Sequence, residues 1–71
     1  MNLAQARRLK VGDSFARPST NPHDNGNRVY TVCSLEPYLE FVDQHGYHRR
    51  AVLNAHDKPF FKDAVKLEVA R

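Results

Sequence analysis

Apolar positions recur along this chain with two different periods. From Asn2 to Lys10, Leu3, Ala6 and Leu9 fall at every third position and Arg7, Arg8 and Lys10 lie between them. That spacing lays one apolar stripe along a short helix over residues 2–10, with Asn2 as N-cap, Gln5 placed to complete a capping box, and Gly12 as a stop. A helix this short persists only when docked on other elements. After Gly12 the period shortens: "VGDSFAR" starts a strand, with Val11 and Phe15 as core residues.

Residues 18–27, "PSTNPHDNGN", break the pattern with two prolines, three asparagines and a glycine. They form no apolar face and predict a long loop with a turn at Asn25–Gly26. "RVYTVCSL" then reads as a strand, rich in β-branched and aromatic residues, ended by Glu36–Pro37. "YLEFVD" and "YHRRAVL" are two more strands. "NAHDKP" is a further break, after which "FFKDAVKLEVAR" sets Val65, Leu67 and Val69 against Lys66 and Glu68 and predicts a final, half-exposed strand.

A short helix followed by about five short strands is a mainly β fold. A single antiparallel sheet with one buried face covers that face by curling on itself. The expected architecture is therefore a small five-stranded, partly open SH3-like barrel with a short N-terminal helix, all within one domain, residues 1–71. An open five-stranded meander capped by the helix is the alternative.

The segment "DQHGYHRRAV" fixes the register of one hairpin. Asp43 suits the first position of a type I turn and Gly46 the left-handed position after it. Asp43 then faces Tyr47, Phe41 faces Arg49, Glu40 faces Arg50, Leu39 faces Ala51 and Tyr38 faces Val52. One face gathers Leu39, Phe41, Ala51 and Leu53 as core, with Arg49 reaching past it to water. The other carries Tyr38, Glu40, Val42, His48, Arg50 and Val52, including a cross-strand Glu40–Arg50 pair. A slip of one residue would send Arg50 to the Leu39 face.

Composition narrows the picture only in part. At 71 residues, with seven aromatics and 27% charged residues, the chain is globular with a small core. The single Cys33, in the apolar run "YTVCSL", reads as a buried, inert thiol and fits a reducing cytoplasm. No apolar run approaches a membrane span and the N-terminus lacks the apolar segment of a signal peptide, so no membrane association is expected. A net charge of +3 tilts toward acidic partners without deciding the matter.

Candidate chemistry is sparse. "HGYH" offers His45 and His48, while His23, Cys33, His56 and Asp57 come from distant segments, so no metal site is expected. Neither a nucleophile with its base nor a phosphate-cradling glycine loop is visible, so a non-enzymatic protein with no cofactor is expected. The reading that remains is a binding module for nucleic acid: Arg7, Arg8, Lys10, Arg49 and Arg50, extended by Arg28, on phosphate, and Tyr38, Tyr47 and His48 stacking on bases. The alternative is a protein-interaction or regulatory accessory factor that uses the loop around Pro22 and an exposed aromatic patch.

Overall fold

A computed structural model describes residues 1–68; the expected place of Val69 in the last strand lies outside them. Where side chains alternate, strands form: β1 (Ser14–Pro18), β2 (Asn27–Ser34), β3 (Leu39–Asp43), β4 (His48–Ala51) and β5 (Val65–Leu67). All pairs are antiparallel and the sheet order is β4-β3-β2-β1-β5. The fold is thus mainly β, but the sheet is not closed into a barrel. Its last strand returns beside β1, so β4 and β5 stand at opposite edges.

Helix α1 (Leu3–Ala6) carries the expected capping box: Asn2 Oδ1 accepts from the Gln5 amide and Gln5 Oε1 accepts from the Asn2 amide, both at 2.8 Å. It is shorter than the predicted 2–10. Past Ala6 the amides of Arg8 and Leu9 donate to the carbonyls three residues back, a tightened last turn that still delivers Leu9 to the core. Val11 does not join it. This side chain lies in the Lys10–Asp13 turn ahead of β1 and is 61% exposed.

The segment predicted as a long loop over 18–27 is shorter and more structured. Pro18 closes β1, Asn27 opens β2, and a 3-10 turn, Pro22–Asp24, sits between them. The Asn21 side chain caps that turn, and Asn25 (φ 51°) and Gly26 (φ 91°) make the expected reversal. Asp24 is buried, which the polar composition of the segment did not suggest.

A second helix, α2 (Lys58–Lys62), occupies part of what the sequence predicts as break and strand. Pro59 lies in its first turn, where a missing amide costs nothing. The Asp57 carboxylate does not cap α2; it accepts from the amides of Val52 and Leu53, both at 2.9 Å. That pair of bonds ends β4 and holds Leu53 in the left-handed region (φ 57°), turning the chain back so that α2 covers the sheet.

Phe60 and Phe61 from α2 complete a five-ring core with Phe15, Tyr30 and Phe41. Phe41 meets Phe15 edge-on at 5.1 Å and stacks on Phe60 at 5.5 Å. Ala6, Leu9, Val32, Leu39, Ala51 and Ala64 fill in around the rings. β5 contributes little, since Val65, Lys66 and Leu67 are all exposed. Among the described residues no helix is long and apolar enough to cross a membrane.

Candidate functional site

The β3–β4 register is Leu39–Ala51, Glu40–Arg50, Phe41–Arg49 and Val42–His48. Its turn is built as the residue types require: Gly46 has φ 88°, and the Asp43 carboxylate accepts from the amides of His45 and Tyr47. Period 2 then divides the candidate residues between two surfaces. Tyr38, His48 and Arg50 lie on the outer face, while Arg49 shares the inner face with Phe41.

On the outer face, Glu40 compensates its neighbours. Its carboxylate accepts from Arg50 Nε at 3.0 Å and lies 3.3 Å from His48 Nδ1. The Arg50 hydrogen bond holds the Glu40 carboxyl below its ordinary value. Arg50 also lies 5.9 Å from the Tyr38 ring. Cys33 joins this group. Contrary to the sequence reading it is exposed, because alternation gives the inner positions of β2 to Tyr30 and Val32, whatever the polarity of the flanking sequence. The thiol lies 3.7 Å from Glu40 Oε2 and 3.8 Å from His48 Nδ1. Desolvation raises its pKa, and the Glu40 charge adds to the shift.

That arrangement is not a nucleophilic triad. Cys33 and Glu40 both address Nδ1 of His48, so no ring nitrogen relays between thiol and carboxylate, and the thiol is held protonated rather than activated. The sulfur, the carboxylate oxygen and the ring nitrogen do lie within 4.8 Å of one another.

At the other end of the inner face the charges are arranged differently. Arg17 and Arg28 face each other across β1 and β2. The Arg17 guanidinium carbon lies 4.3 Å from the centre of the Phe60 ring, and that of Arg49 lies 4.1 Å from the same centre. Among the described residues neither arginine has a carboxylate within ion-pair distance. Arg17 Nε is buried with no acceptor, so this part of the side chain rests on the aromatic ring.

Arg28 is bound to Asp24 at 3.0 Å. The Asp24 carboxylate also accepts from the Ser19 hydroxyl and the Gln44 amide and meets His45 Nε2. Its pKa falls to about 2, chiefly through the Ser19 hydrogen bond, then through His45 and Arg28. This network ties the β1–β2 loop to the β3–β4 turn. Tyr47, 74% exposed, borders the same surface with His23, Arg28 and His45.

The basic stretch that follows α1 does not form one patch with these groups. Arg7 donates to the Leu53 carbonyl at 3.1 Å and lines a groove of about 540 Å3 together with Leu35, Pro37, Tyr38 and Val52. Arg8 lines a separate depression beside Lys66, and the Lys10 amide is tied to the Asp13 carboxylate at 2.9 Å. Of the eight proposed contact residues, the structure brings together Tyr38 with Arg50 and, around the groove, Tyr38 with Arg7, and it sets His48 and Arg50 on the same Glu40 carboxylate; Tyr47 borders Arg28 and His45. Arg17 and Phe60 were missed. Arg17 had a signal, since it lies two residues past the core Phe15 and so on the same face.

Comparison with known protein families, with curated proteins and with solved structures finds no match for this chain.

Proposed function

We propose that this chain is a non-enzymatic binding module whose ligand is nucleic acid, held at the open end of the inner sheet face. The observation that carries the reading is the pair of guanidiniums, Arg17 and Arg49, laid on one phenylalanine ring with no carboxylate partner among the described residues. Elsewhere on the sheet the arginines are neutralised: Arg28 by Asp24 and Arg50 by Glu40. A planar guanidinium held by its apolar stem and an aromatic surface keeps its outer N–H groups directed at an anion and loses little freedom on binding. Tyr47, exposed on the neighbouring surface with Arg28 and His45, supplies a ring on which a base stacks.

In this reading the five-stranded sheet belongs to the open end of the SH3-like small-barrel class, with the long β1–β2 connection and the β3–β4 turn forming the rim of the site. The lone exposed thiol suits a reducing, cytoplasmic setting.

A second reading is supported by the groove between α1 and the β2–β3 connection. Leu35, Tyr38 and Val52 are exposed around it, and exposed apolar side chains around a concavity suit a protein segment. An amide-resolved NMR titration separates the two. Short single- and double-stranded DNA and RNA, added at low salt, should shift signals of Arg17, Arg28, Tyr47 and Arg49 and leave Leu35 and Val52 unmoved. Absence of shifts with every oligonucleotide would overturn the nucleic-acid reading and leave the groove as the functional surface.

A further inference from the structure

Three adjacent strands place a sulfur, an oxygen and a nitrogen together on the outer face: Cys33 from β2, Glu40 from β3 and His48 from β4. The register between β2 and β3 slips between Val32 and Ser34, so Cys33 is the extra residue of an irregularity opposite Glu40. Bulges of this kind bend a strand and re-aim a side chain. Here the re-aimed side chain is the chain's single thiol.

We propose that Cys33 Sγ, Glu40 Oε2 and His48 Nδ1 form a binding site for a divalent transition-metal ion of the zinc type, with its fourth position open to solvent. The separations fit such an ion. Zinc bonds of about 2.3 Å to sulfur and about 2.0–2.1 Å to nitrogen or oxygen, at tetrahedral angles, set ligand atoms about 3.5 Å apart for sulfur pairs and about 3.3 Å for nitrogen with oxygen. The observed distances are 3.8 Å from sulfur to nitrogen, 3.7 Å from sulfur to oxygen and 3.3 Å from nitrogen to oxygen. Closing on an ion requires movements of a few tenths of an ångström.

The donor set selects the metal class. A thiolate and an imidazole favour zinc, cobalt, nickel or copper over magnesium and calcium, which take oxygen ligands. Arg50 holds the other carboxylate oxygen, Oε1, at 3.0 Å, an outer contact that orients a ligand before the metal arrives. On binding, the Cys33 S–H bond ionises, the electron pair stays on sulfur to form the metal bond, and the proton passes to the buffer. With three ligands exposed or half-buried, the ion remains reachable from solvent. The spacing of histidines in the sequence hid this site because two of its three members are a cysteine and a glutamate on other strands.

The test is titration of the untagged, reduced protein with Co2+ and then with Zn2+. One Co2+ per chain should bind, with a thiolate-to-cobalt charge-transfer band and the strong visible bands of a four-coordinate site, and Zn2+ should bleach both. About one proton should be released per ion at neutral pH, read in buffers of different ionisation enthalpy. Cys33→Ser should abolish the charge-transfer band. Glu40→Gln and His48→Ala should each weaken binding at least about tenfold, while His56→Ala leaves it unchanged. Binding without a charge-transfer band, binding that survives His48→Ala undiminished, or no stoichiometric uptake would each overturn the proposal.

Discussion

Replacing Phe60 with leucine tests whether the two arginines are held by the ring as described. The side chain is 7% exposed, so Phe60→Leu keeps an apolar group in place and removes mainly the π surface. Two guanidinium contacts, at 4.3 and 4.1 Å from the ring centre, are lost, together with the Phe41 stack and the edge contacts to Tyr30 and Phe61. Cation–π contacts at accessible sites contribute roughly 0.5–1 kcal/mol each, and an aromatic pair about as much again beyond its buried area. The two guanidinium contacts and three ring contacts together should therefore cost about 2.5–5 kcal/mol. Against a total of about 4–11 kcal/mol for a chain of this size, that loss is a large share of the stability.

Urea unfolding at neutral pH measures the loss directly, with the slope of the transition unchanged. A double-mutant cycle with Arg49→Met should return a coupling of about 0.5–1 kcal/mol, because methionine keeps the apolar stem and removes the charge. A loss below about 0.5 kcal/mol for Phe60→Leu, or no coupling to Arg49, would refute the reasoning.

Two further expectations follow from the turns and the buried carboxylate. Gly46→Ala should destabilise by about 1 kcal/mol through the left-handed backbone alone, since φ is 88° and a Cβ there meets nothing within 4 Å; a urea transition that moves to higher concentration would contradict this. The Asp24 carboxyl titrates near 2 in the fold against 3.8 when free. Its stabilising contribution is therefore complete above the free value and disappears as pH falls through about 2. Thermal midpoints of the wild type should drop more steeply across that interval than those of Asp24→Asn, and parallel curves would show that the network does not carry the shift.

The β3–β4 hairpin was legible because several local signals agree. Asp43 and Gly46 have the turn chemistry, and only one register buries Leu39, Phe41 and Ala51 together. Helix α2 was not legible, since five residues are too few to show a period and Pro59 reads as a break when it is a first-turn residue. The apolar neighbours of Cys33 point to burial, whereas its phase in β2 sets it on the outer face. Arg7 and Arg8 suggest one patch because adjacent charges are close in sequence, yet the turn that ends α1 sends them to separate surfaces. Asp24 is buried through partners drawn from the β1–β2 loop, β2 and the β3–β4 turn, a convergence visible only in three dimensions. For the same reason the platform under Arg17 and Arg49 stayed hidden: it needs α2 to bring Phe60 onto the sheet.

The most direct test of the nucleic-acid reading is the salt dependence of binding to a labelled single-stranded oligonucleotide, wild type against Arg17→Gln/Arg49→Gln. Each phosphate contact on a single strand contributes about 0.7 to the slope of log affinity on log salt. The double variant should bind more weakly, with a slope shallower by about 1.4, and should retain the wild-type unfolding transition to within the loss of its two ring contacts. An affinity indifferent to salt, or a slope that the two substitutions leave unchanged, would contradict the account.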